Sequence, residues 1–411
     1  LNISKKIVII NSVPINGGDE ALLKATINAI QDNIENVDIS VLCNNPILYQ
    51  KYLPNVKLHW DWEYSFFNAD AGQVTLFFKI KRKFRFLLNR LFQLNYNHTF
   101  SKLLASKREQ EVSDLFEKAD LVICSAGGYF HDFYGFERRL ATLEYIHTVF
   151  KKPYFIFYQS IGPFWKTQNY TRLHQVFANA KKVILREHFS LKHLQNIGYD
   201  CNNVVVSNDI AFYLNKDYGK PADLNRTLKK IALNFRAWTY EKESIETLDK
   251  AVGLCEKLLK SGYELSFIST CQGIHGYTDD TEYIYKVINR LEPQFKNHIR
   301  INNVKLSLED FLLNVEQFDA YIGMRLHGAI LSLIAGLPVL NIAYEDKSLG
   351  IFQSLKLEDC SFSYKEDKKT WLSKVDVFIL NYSKYLEIIE STRKEAENIV
   401  TNDFKAFIIN G

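Results

Sequence analysis

The densest group of chemically capable residues is Ala320-Tyr321-Ile322-Gly323-Met324-Arg325-Leu326-His327-Gly328-Ala329. An apolar strand delivers a guanidinium and an imidazole to its carboxyl end, and a helix of small and aliphatic residues begins at once. Two residues apart, Arg325 and His327 face the same way if the chain is still extended there. Such a pair at a helix N-terminus suits a phosphate or carboxylate whose reaction also needs a proton. A purely structural role is electrostatically unfavourable, because cations oppose the positive end of a helix.

Other strand ends carry related groups. Arg186 closes Val183-Ile184-Leu185-Arg186, where a guanidinium either pairs with a carboxylate or meets an anionic substrate. Arg236 holds the matching place after the first strand of the second half. Three loops leave strands through glycine. The first is Asn16-Gly17-Gly18-Asp19-Glu20, where backbone N–H groups can approach a ligand and Asp19 is either a helix cap or a working carboxylate. It is neither a dinucleotide fingerprint nor a phosphate-binding P-loop. The second is Ser125-Ala126-Gly127-Gly128-Tyr129-Phe130-His131-Asp132, whose ring, imidazole and carboxylate suit a sugar, or else form a polar turn. The third is Tyr158-Gln159-Ser160-Ile161-Gly162-Pro163. No metal site is expected: no two of the ten histidines stand four apart, and Asp279-Asp280 has the look of a helix cap.

These residues need a scaffold that brings strand ends together. Short β-branched runs alternate with helical patterns throughout, the signature of parallel sheets with crossover helices. Strands are expected near 7–13, 38–43, 121–125, 154–158, 183–186 and 204–207, and again near 230–235, 265–269, 299–301, 320–322 and 339–342. The fold class is α/β, with two doubly wound Rossmann-like domains facing each other across a cleft. The expected organisation is an N-terminal domain over 1–214 on the acceptor side, with an insertion at about 56–94. A polar linker at 215–229 leads to a donor-side C-terminal domain over 230–368, and helices follow over 369–411. In such folds ligands bind beyond the carboxyl ends of the strands.

With 411 residues, 47% hydrophobic and 24% charged, the chain has material for a large core, which excludes disorder and a disulfide-stapled mini-protein. A net charge of +4 is too small to argue for nucleic acid. The six cysteines share no C-x-x-C spacing and predict buried thiols of a cytoplasmic protein. No secretory leader is expected, and the apolar run 328–344 is too interrupted to span a membrane. Residues 76–94, LFFKIKRKFRFLLNRLFQL, predict an amphipathic helix with Phe77, Ile80, Phe84, Leu87, Leu88 and Leu91 on one face and a basic remainder with aromatics interleaved. It suits either packing on the first domain or contact with an anionic membrane surface.

With these motifs in view, the chain resembles the polysaccharide pyruvyl transferase family. The matching pieces are NGGDEALLKA, SAGGYFHD, YQSIGPF, LREHFS, SNDIAF and IGMRLHGAILSLIAGLPVLNIAYEDK, in family order. The resemblance implies a two-domain fold of the glycosyltransferase B type. It also implies transfer of the enolpyruvyl unit of phosphoenolpyruvate onto two hydroxyls of one sugar, giving a cyclic ketal and phosphate. Phosphoenolpyruvate is then a co-substrate, and no cofactor or metal is needed.

By position, the resemblance implicates His327, Arg325 and Arg186 in catalysis with an acid of the first domain, assigned to Asp19 with Asp132 as the alternative. Donor binding falls to Arg186, Arg325, Leu326, Arg236 and Lys347. Acceptor binding falls to Gly17, Gly18, Gly127, Gly128, Tyr129, Asp132 and Gln159. A lipid-linked capsular or exopolysaccharide precursor, galactose among its candidate sugars, is the implied acceptor, met at the inner face of the membrane by residues 76–94. The competing functions are a nucleotide-sugar glycosyltransferase on the same architecture and a non-catalytic sugar-binding protein of polysaccharide assembly.

Overall fold

The structure, a computed structural model, describes residues 4–14, 16–61, 107–133, 135–237, 245–271, 279–302 and 307–409. The basic amphipathic stretch expected at 76–94 lies outside the described residues.

Two all-parallel sheets form the frame. The first runs β3-β2-β1-β4-β6-β7-β8, with β5 pairing β6 off this path. Its strands are β1 (Lys5–Ser12), β2 (Val37–Cys43), β3 (Lys57–Trp60), β4 (Leu121–Cys124), β5 (Gly127–Phe130), β6 (Tyr154–Ile161), β7 (Val183–Leu185) and β8 (Val204–Val206). The second runs β11-β10-β9-β12-β13-β14. It comprises β9 (Lys230–Asn234), β10 (Glu264–Phe267), β11 (Ile299–Ile301), β12 (Ala320–Gly323), β13 (Val339–Ala343) and β14 (Ser361–Ser363). Helices cover both faces, so central strands are apolar on both sides, and all eight residues of β6 are buried.

The strand order reverses between β1 and β4 in one sheet and between β9 and β12 in the other. Crevices open at the carboxyl ends of strands flanking such reversals. Helix α1 (Gly17–Asn33) starts just beyond β1, and helix α2 (Leu326–Ile334) just beyond β12. The two switch points face each other, which fixes where the site forms.

The two halves share one hydrophobic core rather than touching as separate bodies. The turn Ile210–Leu214 is central to it, its Ile210, Phe212 and Leu214 being fully buried among α1, α2 and the final helix. Each such side chain contributes roughly 1.5–3 kcal/mol of transfer free energy. That final helix, α3 (Tyr382–Phe404), returns to the first domain. The Tyr158 hydroxyl donates to the Val400 carbonyl at 3.2 Å, while Arg393 donates to the Ile334 carbonyl of the second domain at 2.6 Å.

Strands β3, β5 and β14 and the helix Asp346–Ser354 are additions to the sequence expectation. Gly127–Phe130, expected as loop, extends beside β6, where Gly127 takes φ +151°, a conformation glycine tolerates. Among the described residues no helix is long and apolar enough to cross a membrane.

Candidate active site

The first wall of the site is the start of α1. Asn16 caps the helix, its side-chain oxygen accepting from the Asp19 amide at 2.9 Å, while its Nδ2 donates to Asp19 Oδ2 at 2.6 Å. The cap is therefore Asn16, and Asp19 occupies the first turn with its carboxylate turned to the cleft. Gly17 donates its amide to the Thr270 carbonyl of the second domain at 2.8 Å. A Cβ on Gly18 would stand 2.6 Å from Nδ1 of His327, so that domain approach requires glycine. Burial raises the Asp19 pKa above its ordinary value, against the opposing pull of His327, Arg186 and Lys347.

Opposite stands the start of α2. The chain leaves β12 at Gly323, Arg325 keeps an extended conformation at the cap, and His327 already lies in the helix's first turn. The expectation that Arg325 and His327 point the same way is thus corrected: helix geometry replaces strand alternation between them, and the two side chains diverge. Arg325 turns into the second domain and grips Asp280, with Nε at 3.1 and 3.0 Å from the two carboxylate oxygens and Nη2 at 2.5 Å from Oδ1. Asp280 is fully buried and also accepts from Ser269 Oγ at 2.5 Å and Asn234 Nδ2 at 3.1 Å. This pair removes the conflict between a guanidinium and the positive helix end. Asp280 thus anchors Arg325, a role the capping expectation did not contain; Asp279 supplies the cap.

His327 turns instead to the first domain. Its Nε2 lies 3.3 Å from Nη1 of Arg186 and 3.5 Å from Oδ2 of Asp209. Arg186 is 2% exposed and donates to Asp209 at 2.7 Å and to Ser160 Oγ at 2.8 Å. Burial opposes the Asp209 charge, but Arg186 and His327 outweigh it and hold that carboxyl far below the usual range.

The third wall joins Gly128 to Lys347. A Cβ on Gly128 would meet Lys347 Nζ at 3.5 Å and Arg186 Nη2 at 3.7 Å, so the two cations flank that glycine from opposite domains. Lys347 pairs with Glu345 at 2.6 Å, and Glu345 reaches His131 across the cleft at 3.7 Å. Lys347 and His131 hold the Glu345 pKa down at about 2 against the effect of burial. Arg236 donates to the Tyr344 hydroxyl at 3.1 Å and lies over that ring.

The expected residues thus divide. Gly18, Asp19, Gly128, Arg186, His327 and Lys347 converge between the domains, with Gly17 bonded across the cleft beside them. Several others hold the walls. Asp132 Oδ2 accepts from the Trp165 and Lys166 amides at 2.6 and 2.7 Å. Gln159 is fully buried and braces the Gly127 turn, donating to the Ser125 carbonyl and accepting from the Tyr129 amide at 3.3 Å. The Tyr129 ring lies under the Arg139 guanidinium at 5.1 Å, and Leu326 is buried in the core. Asp209, Ser160 and Glu345, which carry no role in the sequence expectation, complete the site together with Asp280, which anchors Arg325 instead of capping a helix. Among the described residues no group of three or more His, Cys, Asp or Glu is arranged to hold a metal ion.

The polysaccharide pyruvyl transferase family model matches residues 16–346, from the α1 loop through the segment after β13. The chain belongs to that family. This polysaccharide pyruvyl transferase family member is 25% identical over 429 aligned positions to the amylovoran biosynthesis protein AmsJ of Erwinia amylovora, covering 96% of each chain. Its fold is that of B-type glycosyltransferases and sugar-nucleotide epimerases. The Anabaena protein HepE, solved with UDP-glucose, superposes with a TM-score of 0.59 at 12% identity, covering 99% of this chain and 100% of that one. A glycosyltransferase from Rickettsia africae gives 0.60 at 13% identity with both chains fully covered. The UDP-GlcNAc 2-epimerase of Methanocaldococcus jannaschii gives 0.54 at 13% identity, covering 91% of this chain and 92% of that one. The protein is a transferase of pyruvyl groups by family, built on an architecture shared with nucleotide-sugar enzymes.

Proposed function

We propose that the enzyme transfers the enolpyruvyl unit of phosphoenolpyruvate to two hydroxyls of one sugar in an exopolysaccharide precursor, forming a cyclic ketal and phosphate. The observation that carries this reading is the meeting of Asp19, Arg186, His327 and Lys347 from two domains on one cleft. The donor bears a carboxylate and a phosphate, and Arg186 and Lys347, flanking Gly128, supply cations for both. Arg236 adds to the positive field from beside Tyr344, and Arg325, bound to Asp280, fixes the helix start that aims His327.

In the reaction a proton adds to the methylene carbon of the donor and one sugar oxygen bonds to its second carbon. The second hydroxyl then attacks that carbon as its bond to the phosphate oxygen breaks. Of the two hydroxyl protons, one balances the new methyl group and the other leaves with phosphate. Asp19, whose pKa burial raises and whose carboxylate is thereby made a better base, accepts from the attacking hydroxyl, and His327 donates to the departing phosphate. Asp209 orients His327 from behind. The relative AmsJ belongs by name to amylovoran biosynthesis, which supports a polysaccharide precursor as acceptor. A lipid-linked precursor would be met by the basic stretch 76–94, with the enzyme peripheral to the inner membrane face.

Incubation with phosphoenolpyruvate and a panel of pyranosides tests the reading. Phosphate release with a pyruvylated glycoside by mass spectrometry is expected. Glycosyl transfer from UDP-glucose with no response to phosphoenolpyruvate would instead establish the nucleotide-sugar reading that the fold relatives favour.

A further inference from the structure

Helix α1 opens on a residue that makes two bonds where a cap needs one. The Asn16 Oδ1 accepts from the Asp19 amide at 2.9 Å, which satisfies an otherwise unpaired helix donor. Its Nδ2 donates to Asp19 Oδ2 at 2.6 Å. The two bonds fix which end of the side chain is which, since the reversed amide would set N–H against N–H and oxygen against carboxylate oxygen. The helix start beneath them is itself pinned, because Gly17 donates to the Thr270 carbonyl of the other domain at 2.8 Å.

The same pair of bonds joins Ser307 to Asp310 at the start of another helix, where the hydroxyl accepts from the Asp310 amide at 3.1 Å and donates to its carboxylate at 2.8 Å. There the carboxylate is exposed, and the arrangement serves the helix alone. Asp19 differs in what it faces. Burial works against its charge, while His327, the Asn16 amide, Arg186 and Lys347, in decreasing order, work for it, with the Cys271 thiol of the second domain close by. A neutral amide outweighs two full cations there because it touches the carboxylate. With Oδ2 held, Oδ1 is the oxygen left for the cleft, and among the described residues it accepts no hydrogen bond.

We infer that Asn16 is a positioning residue for Asp19: it grips one carboxylate oxygen, sets the plane of the group and turns the other oxygen into the cleft. That the presented oxygen takes a proton rests on the function proposed above; the grip itself does not. Asn16 acts through Asp19 and carries no proton of its own in the chemistry.

The test uses the full chain. In the parent protein the side-chain amide resonances of Asn16 are expected to titrate with the same midpoint as the Asp19 carboxyl, read by nitrogen-15 and carbon-13 NMR without substrate. An amide that ignores that titration would overturn the inference. Asn16→Gly removes both bonds at little cost to the helix, whereas Asn16→Ser keeps a hydroxyl able to accept and donate as Ser307 does. The Asp19 titration is expected to move to higher pH in Asn16→Gly, carrying the acid limb of kcat/KM with it, and to return toward the parent in Asn16→Ser. Plateau kcat should fall roughly tenfold in Asn16→Gly while KM for phosphoenolpyruvate changes less than about twofold, a split that a merely structural cap would not produce. An unmoved Asp19 titration in Asn16→Gly, with folding checked by a melting curve, would equally overturn the inference. A moved one without phosphate release from any donor–glycoside pair would leave the grip standing and remove the proposed reaction.

Discussion

The backbone of Gly18 lies against the imidazole of His327, with room for a hydrogen and nothing larger: a Cβ would stand 2.6 Å from Nδ1 and 2.8 Å from the histidine's own Cβ. Because that second contact is to the root of the side chain, rotation alone does not relieve it. Gly18→Ala is expected to displace His327 by a few tenths of an ångström or more and to lower kcat on the order of 10²-fold. A Tm close to that of the parent, measured with the turnover, would show that the loss lies in alignment; unchanged turnover would show that the contact is soft.

Replacement of His327 itself tests its role in the chemistry. His327→Ala is expected to reduce turnover at saturating donor by on the order of 10²–10⁴. Near-normal turnover of this variant would remove the histidine from proton transfer.

Asp19 links activity to stability with opposite signs. Its native pKa is raised above 3.8, so its charged form is disfavoured by folding. Its contribution to stability is complete below that ordinary value and is lost as pH rises through the native pKa. Asp19→Asn should therefore raise Tm at neutral pH while abolishing turnover, and the Tm difference should shrink on acidification toward pH 3.8. In the parent enzyme kcat/KM should rise with pH along a limb set by the same carboxyl. Calorimetry across pH checks the first and steady-state kinetics the second; a lower Tm for the variant would contradict the sign.

The Arg325–Asp280 pair makes a contrasting prediction. Asp280→Ala leaves a largely buried guanidinium without its carboxylate, which costs roughly 3–5 kcal/mol. Denaturant unfolding should show that loss, and Arg325→Lys with Asp280 intact should show a smaller one, because an ammonium keeps the charge but cannot span both oxygens. Equal stability of Asp280→Ala and the parent would mean that Arg325 has another anchor.

The sequence's periodicity made the two sheets and most crossover helices legible, since buried parallel strands are short apolar runs bounded by glycine and polar turns. What escaped was short or non-local. Strands β3 and β14 are only four and three residues long and lie at sheet edges, β3 without a buried residue. Strand β5 carries two glycines, a composition typical of a turn. In the site, Asp19 and His327 are legible because each stands beside glycine just past a strand end, Arg186 because a charge closes an apolar strand, and Lys347 only through the family resemblance. Asp209 and Glu345 were not visible as partners, since their significance comes from groups far away in sequence. Arg325 and His327 diverge because the helix begins between them, and a shift of helix start by one or two residues is the detail that periodicity resolves worst.

Helix α3 gives the molecule a second strap between its lobes besides the crossing at Leu214–Lys230. Two attachment points define an axis, so the jaws can open by scissoring about that line, while sliding past each other is resisted by the core they share. Any such swing would part His131 from Glu345, which meet across the cleft. Truncating the strap at its tip, where Phe404 packs against Phe157, would loosen its hold on the first lobe.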